Sequence, residues 1–200
     1  RVLRTPVRAG DSFNDDPLRM MRAARFASQL DFQIAPEVLA SMTDLAHRIS
    51  IISAERVRDE FIKIIMSPNP RIGITLLVDT GLADIVLPEI PKLRLEVDEH
   101  HHHKDVYEHS ITVLEQAIEL EERLDGPNLV IRLAALLHDI GKPKTRAFIE
   151  GGGVSFHHHE VVGARLAKKR LQALRFDNET IEAVELLTML HLRFHGYGEG

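Results

Sequence analysis

His138 and Asp139 stand side by side where an apolar run ends, in Leu136-Leu137-His138-Asp139-Ile140-Gly141-Lys142-Pro143. An imidazole and a carboxylate both ligate divalent metal ions, and both are costly to hold at the buried end of a helix unless something coordinates them. Further histidines stand in Asp105-Val106-Tyr107-Glu108-His109-Ser110, in Phe156-His157-His158-His159-Glu160 and at His191. A metal centre built inside a helical bundle accounts for the whole set. A hydrogen-bonded core histidine accounts for any one of them singly, and Asp139 before Ile140 and Gly141 also suits a solvent-facing helix end. With twelve His in 200 residues some coincidence is expected, so spacing leaves both readings open. Neighbours in a helix point ~100° apart, so His138 and Asp139 can share an ion only from different sides of a pocket. Gly141 is expected to supply a left-handed stop, and Lys142 to stand beside the pocket where a phosphate could bind.

A second constellation is Asp15-Asp16-Pro17-Leu18-Arg19-Met20-Met21-Arg22-Ala23-Ala24-Arg25-Phe26-Ala27. Asp16 and Arg19 are three apart at a helix start and share one side of its first turn. A carboxylate and a guanidinium held side by side present acceptors and donors in a fixed plane, as reading the pairing edge of a nucleobase requires. The competing reading is local: Asp16 as an N-cap, Arg19 as its ion-pair partner, Arg22 and Arg25 as surface charges. Arg19 shares a helix side with Ala23, Phe26 and Leu30, which predicts that it emerges from a packed face.

The elements that must carry these residues are nearly all helical. Residues 1–14 read as an irregular arm. Asp16-Pro17 opens a helix to about Leu30, since Asp caps well and Pro is favoured at the first helical position. Helices follow from Pro36 to about His47, from a Ser53 cap to about Met66, over 71–80 up to Gly81, and briefly over 82–87. Residues 88–104, with Pro88, Pro91 and the run His100–His103, read as a linker. Apolar spacing then predicts helices over 106–124, 128–140, 160–174 and 179–191. His109 is expected mid-helix, beside a packed side marked by Val106, Val113 and Leu114. The strand-like piece is 145–156 around Gly151-Gly152-Gly153, which suits a small hairpin. The expected fold is all-α, with one domain over 1–90 and a second over 91–200.

Composition bounds the function. An apolar content of 44% suffices for a real core. No Cys is present, which rules out a disulfide framework or a thiolate metal site and suits a reducing, cytoplasmic setting. No apolar run reaches the ~18–20 residues of a membrane span, and no signal peptide is evident. The start at Arg1 and the end in Gly-Tyr-Gly-Glu-Gly suggest a piece of a longer protein. Net charge is −5, which by itself argues against a dedicated nucleic-acid binder. Residues 1–75 nevertheless carry +2 and ten Arg, whereas the remainder carries −7. Arg pairs with phosphates and base edges in fixed geometry, so two domains with different partners are expected.

Two resemblances follow from these residues. His109…His138-Asp139 in helical sequence resembles the HD superfamily of metal-dependent phosphohydrolases. The resemblance implies His109, His138 and Asp139 as its first three ligands, and His159 and His191 as completing a second metal. It also implies one more Asp after His191; the last Asp here is Asp177, so that ligand is expected beyond Gly200. Asp-Asp-Pro-Leu-Arg-Met-x-Arg-Ala-x-Arg-Phe resembles the start of the neck domain in bacterial class II tRNA nucleotidyltransferases, the CCA-adding enzymes and their poly(A) polymerase relatives. Ile52-Ser53-Ala54-Glu55-Arg56-Val57-Arg58-Asp59-Glu60-Phe61 and Leu82-Ala83-Asp84-Ile85-Val86-Leu87-Pro88-Glu89 are similar to that neck as well.

That second resemblance implies that Asp16 and Arg19, supported by Asp15, select ATP and CTP for addition to the 3′ ends of tRNA or other RNA. The family's catalytic head carries an Asp-x-Asp pair and a Gly-Ser loop that serve a two-metal reaction, with Mg as the implied ion. Neither occurs here, so these residues alone are not expected to transfer nucleotides. The alternative activity is a phosphohydrolase acting on phosphomonoesters or 2′,3′-cyclic nucleotides, with Asp139 and Lys142 as catalytic residues. Imidazole and carboxylate ligands suit Mn, Fe, Co, Ni or Zn at the HD site. A third reading keeps the HD fold as a binding module without turnover.

Overall fold

The computed structural model describes residues 1–94, 105–150 and 153–194. The chain divides into two compact units, Arg1–Pro88 and Glu89–Gly200.

The first unit differs from the sequence expectation at its start. In place of an irregular arm, β1 (Val2–Leu3) runs parallel to β2 (Gln33–Ile34), with Val2 opposite Gln33 and Leu3 opposite Ile34, and α1 spans Ala9–Asp15. Two-residue strands and a seven-residue helix have too few periods to register as a pattern. Next come α2 (Leu18–Leu30), α3 (Pro36–Leu45), a 3₁₀ turn (Ala46–Ile51), α4 (Ala54–Ile65), α5 (Pro70–Asp79) and α6 (Leu82–Val86). Asp16 Oδ1 accepts from Leu18 N–H at 3.2 Å, so the aspartate does serve the start of α2. Ser53, in contrast, makes no side-chain capping bond at α4. The helix α2 packs on α4 and α5, and α1 on α3. Phe13, Met20, Met21, Met42, Phe61, Ile64 and Leu77 are fully buried between them. A Cβ at Gly73 of α5 would fall against Ser28 Oγ and Ile64 Cγ2, so the small residue sets how closely α5 approaches α2 and α4.

The second unit begins earlier than expected. Residues 89–94 do not form a free linker: a 3₁₀ turn (Pro91–Leu93) packs with Ile90 and Leu93 buried, and Glu89 takes a bidentate pair from Arg170 at 2.8 and 3.1 Å. Residues 95–104, including His100–His103, lie outside the described residues, as do Gly151 and Gly152 of the hairpin. The unit continues with α7 (Val106–Glu119), a 3₁₀ turn (Leu120–Arg123), α8 (Leu129–Leu137) and α9 (Lys142–Thr145). The hairpin pairs β3 (Ala147–Phe148) antiparallel to β4 (Val154–Ser155); then come α10 (His159–Ala173), α11 (Asn178–Leu190) and a 3₁₀ turn (His191–Phe194). Side-chain caps start three of these helices. Asp105 accepts from Tyr107 N–H, Asn128 from Ile131 N–H and Asp177 from Thr180 N–H. The helix α8 packs on α7 and α11, and α10 on α11. Tyr107, Ile111, Leu114, Leu133, Leu137, Leu171 and Val184 form the core. Among the described residues no helix is long and apolar enough to cross a membrane.

Candidate functional site

His138 and Asp139 lie in the turn that follows α8, His159 opens α10 and His191 follows the last residue of α11. Three helix termini therefore deliver four of the five candidate ligand positions. His109 comes from near the start of α7 rather than from mid-helix, and its side chain is 43% exposed where that of Asp139 is 2%.

Gly141 explains how α10 reaches the site. Its φ is −77°, so it is not the left-handed stop expected from the sequence. A Cβ at Gly141 would collide with the His159 carbonyl oxygen and lie 2.7 Å from Gly163 N, and Gly163 faces back at Gly141 and the His138 carbonyl. The glycine is required for backbone contact, which no local signal distinguishes from a helix stop. His158 is left-handed at φ 60°, and this turn of the chain directs His159 inward.

Four imidazoles converge on one carboxylate. His138 Nε2 lies 3.2 Å and His109 Nε2 3.8 Å from Asp139 Oδ2. His159 Nε2 lies 3.2 Å and His191 Nε2 3.8 Å from Oδ1. The Nε2 atoms of His159 and His191 are 3.2 Å apart. Three of these rings share one local device. Nδ1 of His138, His159 and His191 meets the backbone carbonyl three residues earlier, that of Ala135, Phe156 and Thr188, at 2.8, 2.8 and 2.7 Å. A carbonyl can only accept, so each Nδ1 donates. Nε2 of a neutral ring then carries the lone pair that can ligate a cation shared with the carboxylate, whereas Nε2 of a protonated ring donates to the carboxylate instead.

The ligand atoms form two groups, His109–His138–Asp139 and Asp139–His159–His191, within each of which all lie inside 4.8 Å. Asp139 belongs to both, and among the described residues it is the sole carboxylate in either. Four nitrogens and a carboxylate fit a borderline transition-metal ion better than Mg or Ca, which favour oxygen.

Burial pushes the Asp139 carboxyl up, but hydrogen bonds from His138, His159 and Lys142 outweigh it and hold the group well below the usual carboxylate range. Burial lowers His159 too, and there the Asp139 carboxylate prevails and raises it. At His191 burial wins, and the ring sits below its ordinary value. Lys142 Nζ donates to Asp139 Oδ2 at 2.7 Å, so the lysine is tied to the shared carboxylate itself.

In the first unit the structure separates the expected pair. Arg19 Nη1 donates to Ser12 Oγ at 3.0 Å and to the Ser12 carbonyl at 3.2 Å. Asp16 Oδ2 faces Arg56 at 3.3 Å and Arg22 at 3.8 Å. A cleft of about 500 Å³ is bordered by Asp15, Arg19 and Arg22 but not by Asp16. The expected packed face is also corrected: Ala23 is buried, whereas Phe26 is 38% and Leu30 52% exposed. Sequence reasoning missed Ser12, because α1 was not anticipated. It also missed buried Glu60, which takes Arg25 at 2.9 Å and Lys63 at 3.2 Å.

Both units match known protein families. Residues 31–93 match a family described as "Probable RNA and SrmB- binding site of polymerase A", and residues 106–198 match the HD domain. The A-adding tRNA nucleotidyltransferase of Deinococcus radiodurans is 35% identical over 198 residues, covering 96% of this chain and 44% of that protein. The multifunctional CCA protein of Neisseria meningitidis is 34% identical over 193 residues, covering 94% and 44%. The CC-adding tRNA nucleotidyltransferase of Thermus thermophilus is 36% identical, covering 96% and 45%. A crystal structure of the Bacillus stearothermophilus CCA-adding enzyme in complex with CTP aligns with a TM-score of 0.46 at 24% identity, covering 96% of this chain and 49% of that one. The chain thus spans under half the length of the curated relatives it matches.

Proposed function

We propose that this chain belongs to the tRNA nucleotidyltransferase and poly(A) polymerase family, carrying its RNA-binding region and HD domain, and that it forms the base-selecting and HD portions of an enzyme extending tRNA 3′ ends from CTP and ATP in the cytoplasm. The observation that carries this reading is identity of 33–36% along nearly the whole chain to proteins named A-adding tRNA nucleotidyltransferase, CC-adding tRNA nucleotidyltransferase and multifunctional CCA protein. Those names favour tRNA over poly(A) tails as the acceptor. The neck reading assigns Asp15, Asp16 and Arg19 to the base, with Arg19 held by Ser12 at the rim of the 500 Å³ cleft. For Asp16 to join it, the contacts with Arg22 and Arg56 must exchange for the base; both arginines are partly exposed, so the exchange is inexpensive.

A second activity is favoured by the histidine cluster: a metal-dependent phosphohydrolase for phosphomonoesters or 2′,3′-cyclic nucleotides. His109 and His138 would hold one ion, His159 and His191 the other, with Asp139 bridging. A divalent ion there supplies Lewis-acid polarisation of a phosphoryl oxygen and activation of water. The chain's own residues do the rest. Asp139, whose two oxygens face different pairs of imidazoles, would bridge the ions or accept a proton from the attacking water. Lys142 keeps that carboxylate in place and sets a positive charge at the site's edge for the phosphate.

Elemental analysis of the untagged protein against His138→Ala tests the centre. Near-stoichiometric metal in the wild type, of which the variant loses at least the share that His138 would hold, is expected. Equal metal content in the two, or none in either, counts against the phosphohydrolase reading and leaves base selection as the function.

A further inference from the structure

The imidazoles of His109, His138 and His191 form one end of a cleft of about 420 Å³. The remaining lining comes from α7, α8 and α11 and is apolar throughout, with Val113, Ile131, Ala135 and Leu187 among its walls. The carbonyl of Ala135 is already taken by His138 Nδ1. Among the described residues, then, hydrogen-bonding side chains meet this cleft only at its imidazole end. That is one-sided chemistry: a place for an anion at one end and a place for carbon along the rest.

We propose that this cleft receives the alcohol portion of the phosphoester, so that the centre prefers esters whose alcohol carries an aromatic or apolar face over sugar phosphates and polyphosphates. The inference rests on the phosphohydrolase reading above. In the hydrolysis, water forms a new P–O bond and the ester P–O bond breaks. The alcohol leaves with one proton of the water, and the phosphate keeps the other. A polyol in the cleft would lose its hydrogen bonds to water and find no replacements on these walls. An anionic polyphosphate tail would fare worse. An aromatic ring loses nothing there and gains by leaving water.

The test is equilibrium binding of two unreactive probes, phenylphosphonate and methylphosphonate, to the Mn²⁺-replete full chain by calorimetry. The phenyl compound is expected to bind at least about tenfold tighter. Ile131→Ser and Leu187→Ser are each expected to shrink that ratio to about threefold or less. Leu187 is 38% exposed, so its variant tests the wall without hollowing the core. Equal affinities in the wild type, or a ratio that survives both variants, overturns the inference while leaving the metal centre standing. Failure of both probes to bind metal-replete protein overturns the phosphohydrolase reading, and this inference with it.

Discussion

Asp139 is the residue on which the second unit's chemistry turns, because its two oxygens face different pairs of imidazoles. If it bridges two ions, its loss and the loss of a peripheral ligand should differ in stoichiometry. Asp139→Asn is expected to remove nearly all bound metal, and His109→Ala about half. Elemental analysis of both variants checks this, and equal losses would speak against a shared carboxylate. The cluster was legible in the sequence because each histidine sits beside an apolar helical run, and the His-Asp doublet marks where one such run ends. Arg19 was legible only in part. Three-residue spacing fixes which side of a helix a residue lies on, yet not its partner, and its partner Ser12 belongs to α1, hidden in what reads as an arm. The cleft walls could have been found by counting back from the ligands: Ile131 and Ala135 precede His138 by seven and three residues, and Leu187 precedes His191 by four, which places each on its ligand's helix face.

At the scale of elements, the 3₁₀ turn after α7 is fastened to the start of α8 by one buried pair. Glu121 accepts from Arg132 Nε at 2.7 Å and Nη2 at 2.6 Å, and from Asn128 N–H at 2.9 Å. The Arg132 hydrogen bond holds the Glu121 carboxyl below its ordinary value, against the upward push of burial. A carboxyl depressed on folding contributes stability above its unfolded pKa, and that contribution drains away as pH falls through the folded value. Glu121→Ala also leaves Arg132 buried without this acceptor, at a cost of about 3–5 kcal/mol near neutral pH. The expected result in thermal unfolding is a large deficit at pH 7 that narrows below about pH 4.5 as the wild type protonates. A deficit that stays constant down to pH 3 would show that packing, not charge, fastens the turn. No periodicity announces this pair, since it joins a turn to a helix across eleven residues.

At the scale of the whole molecule, the two compact units differ in charge: the first, Arg1–Pro88, is arginine-rich and electrically balanced, whereas the second, Glu89–Gly200, carries a net charge of −5. The relatives extend well past the region they share with this chain, and no Asp-x-Asp pair occurs in these 200 residues. These residues alone are therefore expected to incorporate no labelled CMP or AMP into tRNA supplied with CTP, ATP and Mg²⁺. Incorporation above background would require nucleotidyl-transfer carboxylates within this chain that its sequence does not display.

The three Nδ1–carbonyl bonds at His138, His159 and His191 bear on how quickly an ion could be taken up. Each bond spans three residues of one chain segment, so each ring is aimed by its own helix end before any ion arrives. An incoming ion then meets donors already in position and has little conformational search to wait for. Its rate of entry becomes a property of the ion, set by how readily it sheds its own hydration shell, so a slowly exchanging aqua ion such as Ni²⁺ would load more slowly than Mn²⁺ into the same unmoving frame.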